Sequence, residues 1–288
     1  MAADDDYMLP RHGRESQRLT AQHFLYAARQ GFHLYPEIQA AIEHVARPKI
    51  ADIATGNGIW AFELARLMPN ADVVGLDISD AQFTPEWAWP RNASLRIFDI
   101  LSDVPKEYEQ AFDVVHVRLL VPAGPMVDHK VFLEQYSKML KPGGWLQLDE
   151  LAFPPGLLCR QREVHKEFIQ RDELDSAPEM YSLYKYNAFD KKLWWIEHFE
   201  KVVNEWGGLQ QAKKTFVTAR PHLLVAETYT ALEVWEELVN TVIKMKNITD
   251  PEALKELHGG LDALKQYRDE GTMILYNWNI CTARKAPA

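Results

Sequence analysis

At 288 residues and 47% hydrophobic content, the chain is long enough to bury one large core, or a core with a smaller appended part. Its 41 acidic against 32 basic side chains give a net charge of −9, which repels a phosphate backbone and sets nucleic acid aside as a substrate. The opening MAADDDYMLP lacks the apolar core of a signal peptide, and no run approaches the ~20 apolar residues of a membrane span. The two cysteines, Cys159 and Cys281, lie outside any C-x-x-C pair, so they suggest neither a disulfide framework nor a zinc or redox site. The expectation is a cytoplasmic protein with two buried thiols and no metal.

Residues 1–13 read as a flexible start. Residues 14–30 contain no Gly or Pro and place Leu19, Tyr26 and several alanines at helical spacing, which predicts a helix that Gly31 ends. From Lys49 the pattern alternates. KIADIA is a short buried strand, residues 59–68 a helix stopped by Pro69-Asn70, and DVVGLD a second strand. SLRIFDI is a third strand, AFDVVHVRLL a fourth, KVFLEQYSKML a helix closed by Pro142-Gly143-Gly144, and GWLQLDEL a fifth. Strand and helix in turn, joined by short loops, argue for an α/β fold with a mostly parallel central sheet and helices on both faces. Pro-Pro-Gly at 154–156 then breaks the pattern, and residues 160–174 read as a charged helix. Residues 191–208 read as one amphipathic helix with Leu193, Ile196, Phe199, Val203 and Trp206 on one side. Residues 209–219 suggest an edge strand and 271–285 a last strand, with helices over 227–269 that Gly259-Gly260 divides. Residues 14–288 are expected to form one domain: a core over 45–151, a post-core part and helical cap over 152–271, and a final strand over 272–285.

The glycine turn GNGIWA satisfies G-x-G-x-x-A, and Asp77 follows about 20 residues on, where a dinucleotide fold places its ribose-binding acid. The physical content is narrower than that match. Glycines let a ligand approach the backbone, a helix N-terminus favours negative charge, and an acid at a strand end accepts hydrogen bonds from ribose hydroxyls. Any adenosine ligand suits this arrangement. A nicotinamide enzyme also needs hydride chemistry; the Tyr-x-x-x-Lys spacing at Tyr181 and Lys185 falls after the core and carries little weight. No Gly-x-Ser-x-Gly elbow, metal-ligating His pair or phosphate loop is present.

The order DIATGNG, acid-ended second strand, FDI, FDVVHVR and LKPGGWLQL resembles the class I methyltransferases over residues 14–150, which implies a Rossmann-like fold and S-adenosylmethionine as cofactor. RLTAQHFLYAARQGFHLYPEI, GNGIWAFELA and DISDAQFTPEWAWPRN are similar to the fungal secondary-metabolism branch, which includes the LaeA-type regulator and N- and O-methyltransferases of natural-product clusters such as gliotoxin's. The family's usual first glycine is Ala54 here, a change expected to narrow the turn slightly. By this resemblance Ala54, Gly56 and Gly58 meet the methionine and ribose part of the cofactor, and Asp52 orders the turn. Asp77 takes the ribose hydroxyls, Ile78 packs on an adenine face, and Asp99 beside Ile100 accepts from the adenine amino group. Arg118 pairs with the cofactor's carboxylate, and Arg18, Gln22 and Tyr26 share a helix face that closes over it. His116 is the catalytic candidate, its plainer reading being a satisfied core histidine; His33 and Tyr35 are further candidate bases. The function implied is methyl transfer to a nitrogen or oxygen of a small-molecule secondary-metabolite intermediate. A cofactor-binding regulator with protein partners, or an enzyme that uses the cofactor without donating its methyl, remain alternatives.

Overall fold

The buried apolar runs of the first half of the chain pair side by side because strands buried on both faces need neighbours for every backbone polar group. In the computed structural model, which describes residues 13–288 except 124–126, 161–166, 178, 180–182, 184 and 187, these are β1 (Lys49–Ile53), β2 (Asp72–Asp77), β3 (Ala93–Ile97), β4 (Phe112–Arg118) and β5 (Leu140–Cys159). They run parallel in the order β3-β2-β1-β4-β5. Beyond them β6 (Asp175–Ser176), β7 (Gln210–Phe216) and β8 (Met273–Arg284) are antiparallel additions. Here β8 lies against β5, β7 forms the far edge, and β6 pairs the end of β5. The strand order reverses between β1 and β4, so the carboxyl ends of those two strands flank the crevice where open α/β sheets bind ligands.

Nine described helices complete the fold: α1 (Gly13–Gln30), α2 (Pro36–Ile42), α3 (Ile59–Leu67), α4 (Leu120–Ala123), α5 (His129–Met139), α6 (Phe189–Glu197), α7 (Phe199–Trp206), α8 (Leu224–Met245) and α9 (Pro251–Asp269). On one sheet face Ile38 and Ile42 of α2 and Trp60 and Leu64 of α3 pack with Val73, Val114 and Trp145. On the other, Phe132 and Tyr136 of α5, Leu193 of α6 and Trp235 of α8 pack with Val115, Leu146 and Trp278. Asn92, part of an Asn-x-Ser motif, donates from Nδ2 to the carbonyls of Ala65, Met68 and Ala71, and so ties off the end of α3. Both cysteines are buried free thiols, as expected.

Several sequence expectations are corrected. Pro-Pro-Gly does not end the fifth strand. It lies inside β5 at a register shift between Leu151 and Gly156, where an irregular ladder tolerates residues with no N–H to donate. The charged stretch 160–174 is not a helix where it is described: residues 171–173 form a short 3-10 turn, Ile169 bridges to Ala219, and 161–166 lie outside the described residues. The single helix expected over 191–208 is two, because His198 leaves helical geometry (φ −107, ψ 26) and donates from Nδ1 to the Trp194 carbonyl at 2.8 Å. The bend keeps Leu193, Ile196, Phe199 and Val203 buried while α7 packs along β7. Conversely, Gly259-Gly260 does not divide α9. Glycine in a helix costs about 1 kcal/mol relative to Ala and does not by itself break it. Helices α2 and α4 were not foreseen, the expected flexible segment at 1–13 lies outside the described residues up to 12, and so does Tyr181.

Candidate active site

The turn between β1 and α3 is built from three residues in the left-handed region: Ala54 (φ 56), Gly56 (φ 59) and Gly58 (φ 83). Glycine suits such angles, and at Gly58 there is a second reason, since a Cβ would lie 2.9 Å from Leu95 and Phe62. Ala54 adopts the angle at a cost, so the turn keeps its left-handed form despite the side chain. Replacing Ala54 with Gly is expected to raise stability by about 0.5–1 kcal/mol, the relieved strain outweighing the looser unfolded chain. Chemical denaturation measures this directly, and a loss of stability would refute the strain. Asp77, at the end of β2, closes the turn: its Oδ2 accepts from the Gly56 N–H at 2.8 Å and its Oδ1 from the Ser79 N–H at 3.2 Å. The next side chain, Ile78, is 43% exposed, an aliphatic surface beside the carboxylate.

Helix α1 lies across this turn. Asn57 donates from Nδ2 to the Ser16 carbonyl (3.0 Å) and to Thr20 Oγ1 (2.8 Å), and a Cβ on Gly56 would sit 3.2 Å from Leu19. The shared face of Arg18, Gln22 and Tyr26 is a hydrogen-bonded chain: Arg18 donates to Gln22 Oε1 at 2.8 Å and Gln22 Nε2 to the Tyr26 hydroxyl at 2.7 Å. Arg18 also pairs with Glu15. The far end of that chain belongs to the core, since Tyr26 is buried and stacked on Trp278 with centroids 4.1 Å apart.

Beneath α1 runs a buried polar row. Strand register sets Asp52 beside His116 and His116 beside Gln147, and places Arg118 opposite Asp149. His116 sits between two carboxylates, its Nδ1 2.7 Å from Asp52 Oδ1 and its Nε2 3.3 Å from Asp149 Oδ2, and its ring stacks on Trp60 at 3.6 Å. Both nitrogens are therefore committed and the ring is fully buried. This corrects the expectation of His116 as a base, because no nitrogen is left for an acceptor's proton. Arg118, half-buried, donates from Nη1 to His23 Nδ1 at 3.1 Å. Burial, then the Arg118 charge, push His23 down to about 2, so it is neutral. A guanidinium only donates, hence His23 carries its proton on Nε2, a buried atom with no partner among the described residues. Asp99 is partly committed, its Oδ1 accepting from the Leu101 N–H at 2.9 Å; Ile100 is buried behind it.

Sequence reasoning missed Asn57, Thr20, His23, Gln147 and Asp149. One signal was available for the last two: in GWLQLDEL they are polar residues two apart in an apolar strand, which places both on one sheet face.

Residues 50–144 match the family described as a methyltransferase domain. Methyltransferase grgD from Penicillium sp is 36% identical over 155 residues, covering 50% of this chain and 52% of its own length. N-methyltransferase verN from Clonostachys rogersoniana is 30% identical over 151 residues, covering 51% of each. The chain thus spans about half the length of the curated relatives it matches. A chain from the complex between the Haloferax volcanii Trm112 methyltransferase activator and a methyltransferase superposes with a TM-score of 0.50 at 17% identity, over 95% of this chain and 98% of that one. Over residues 50–144 the chain is similar to a methyltransferase domain.

The cofactor of such a methyltransferase domain is S-adenosylmethionine, and the residues present fit it. Asp77, the exposed Ile78 and Asp99 suit ribose and adenine. The Arg118 guanidinium and the unpartnered His23 Nε2–H offer donors of the kind a carboxylate accepts. Among the described residues no group of three His, Cys, Asp or Glu side chains forms a metal site, and no helix is long and apolar enough to cross a membrane.

Proposed function

We propose that the whole protein transfers a methyl group to a nitrogen or oxygen of a small-molecule natural-product intermediate in the cytoplasm, with residues 14–288 acting as one unit. The observation that carries this reading is Asp77, held at the end of β2 by the Gly56 amide with the exposed Ile78 beside it, in a domain of the methyltransferase family. The similarity to the N-methyltransferase verN supports nitrogen as the acceptor atom.

When bound, S-adenosylmethionine supplies a methyl group on a positively charged sulfur, so that in-line approach of a nucleophile suffices and positioning carries much of the rate. The chain's own residues do the positioning. Asp77 and Asp99 orient the adenosine, Arg118 and His23 the carboxylate end, and α1 shields the turn from water through Asn57, Ser16 and Thr20. An amine acceptor must arrive neutral, and a phenol or amide needs its proton removed. Burial, then Arg118 and His116, lower His33 from its ordinary value, leaving a neutral imidazole whose Nε2 has no partner among the described residues. His33 is the base this reading favours. Tyr35, by contrast, is engaged with Lys213 and Thr215, which lower its phenol.

Calorimetric titration tests the cofactor assignment. The wild type is expected to bind S-adenosylmethionine and S-adenosylhomocysteine at micromolar levels and not NAD. Asp77→Ala is expected to lose about 100-fold in affinity, the order of two charge-assisted hydrogen bonds. Binding of NAD alone, or unchanged affinity in the variant, would overturn the reading.

A further inference from the structure

We propose that His116 is a permanently protonated imidazolium that positions the cofactor turn, a positioning residue and not a base. An ionised carboxylate only accepts hydrogen bonds, so a ring facing one carboxylate at Nδ1 and another at Nε2 satisfies both only by carrying a proton on each nitrogen. The other oxygen of each carboxylate also accepts: Asp52 Oδ2 from Thr55 Oγ1 at 2.6 Å and Asp149 Oδ1 from Gln147 Nε2 at 2.9 Å. The Trp60 indole lies parallel to the ring, 5° between planes at 3.6 Å, the face-on arrangement that stabilises a cation.

The groups around His116 balance. Asp52 comes from β1, Asp149 from β5, Arg118 from β4, His23 from α1 and His33 from the segment after α1. With both histidines of the α1 side neutral, two carboxylates face His116 and Arg118, and the cluster carries no net charge. Burial works against the imidazolium, yet the bonds to Asp149 and Asp52 outweigh it and raise His116 above the ordinary imidazole value.

One proton thereby ties three segments together. Through Asp52 and Thr55 it fixes the glycine turn, and through Trp60 the first turn of α3. Through Asp149 and Gln147 it reaches the segment after α1, because Gln147 donates to the His33 carbonyl at 3.0 Å and accepts from the Tyr35 N–H at 2.8 Å. Loss of the proton leaves one donor for two buried carboxylates, and the bond that holds the glycine turn at Asp52 loses its charge assistance. The link to cofactor affinity rests on the proposed function; the charge state and the anchoring do not.

The test has three readouts. In the wild type, long-range nitrogen–proton NMR of labelled histidine is expected to show both His116 nitrogens protonated at pH 8. Asp149→Asn keeps the shape and removes one carboxylate, so His116 is expected to titrate at lower pH than in the wild type. Over that titration range the charged pair with Asp52 becomes a hydrogen bond from a neutral ring, so amide exchange in residues 52–60, corrected for its intrinsic pH dependence, should speed several-fold in the variant and stay constant in the wild type. Affinity for S-adenosylhomocysteine should fall at least 10-fold over the same range in the variant alone. A singly protonated His116 in the wild type at pH 8 overturns the proposal, and this measurement stands even if the variant does not fold. Exchange in 52–60 that ignores the titration in Asp149→Asn overturns the positioning role. If exchange follows the titration but the wild type binds no S-adenosylhomocysteine, the cofactor reading falls and the positioning role holds.

Discussion

Replacing Arg29 with Ala is expected to destabilise the protein by about 3–5 kcal/mol, the cost of leaving a buried charge without its partner. Arg29 ends α1 fully buried, and its guanidinium serves four acceptors. Nη1 donates to Glu227 Oε2 at 3.0 Å and to the Tyr276 carbonyl at 3.1 Å, Nη2 to the Val217 carbonyl at 2.6 Å, and Nε to the Thr218 carbonyl at 3.4 Å. Those acceptors lie on α8, on β8 and just past β7, so a single side chain fastens the first helix to the last part of the fold. Without it, Glu227 is a buried carboxylate with no counter-charge, and three carbonyls lose a donor. Burial already raises Glu227 against the pull of Arg29, so the orphaned acid would take up a proton.

The variants separate charge from geometry. Glu227→Gln keeps an oxygen for Nη1 and removes the negative charge; Arg29→Ala removes the guanidinium and its donors and leaves the carboxylate buried. The first is expected to cost less than the second, and Arg29→Met with Glu227→Met to recover part of the loss, since apolar residues of similar size replace buried pairs well. Denaturant midpoints order the three. If Arg29→Ala costs under about 1 kcal/mol, as an exposed pair would, the latch is not structural. A functional consequence follows, because α1 brings Leu19 and Thr20 to the turn and His23 to Arg118: limited proteolysis of Arg29→Ala should cut α1 first, and cofactor affinity should fall with it.

Strands β1, β2 and β4 were legible because each is a branched apolar run, and Pro48 and Pro69-Asn70 mark the approach to β1 and β2. Asp77 was legible for the same reason, being the acid at the end of such a run. What the sequence hid was non-local. Nothing near Arg29 announces Glu227, 198 positions away, and nothing near His116 announces that Asp52 and Asp149 meet it from neighbouring strands. Local breakers also misled where packing decided. The prolines of 154–155 sit in a strand because β5 bulges there, whereas His198, which has no breaker character, ends a helix whose continuation could not have kept its apolar face on β7. Trp194 is 45% exposed and stacks on His198.

Glu150→Gln is expected to flatten the fall of stability at alkaline pH. Glu150 is fully buried in β5; its Oε1 accepts from the Val121 N–H at 2.9 Å, and its Oε2 has no partner among the described residues. Burial, against the backbone donors of Leu120, Val121 and Leu151 and with the help of the Asp149 charge, pushes its carboxyl up to about 8. The folded value is thus above the unfolded one, so the folded state holds the proton more tightly. The stability this contributes is complete below the unfolded carboxyl range and is lost as pH rises through about 8. His116, also raised, acts in the same direction. His23, lowered, acts oppositely and only on the acid side, where stability falls as pH drops below the ordinary imidazole value. The isosteric amide has no proton to lose, and the neutral form it mimics is the one the site already holds. Between pH 5 and pH 9 the wild type should therefore lose on the order of 4 kcal/mol more than Glu150→Gln, a shift of several carboxyl units converted at 1.36 kcal/mol each. Urea denaturation of both proteins at the two pH values gives the difference directly. Equal losses would mean that Glu150 is ionised in the folded protein, with water reaching its Oε2.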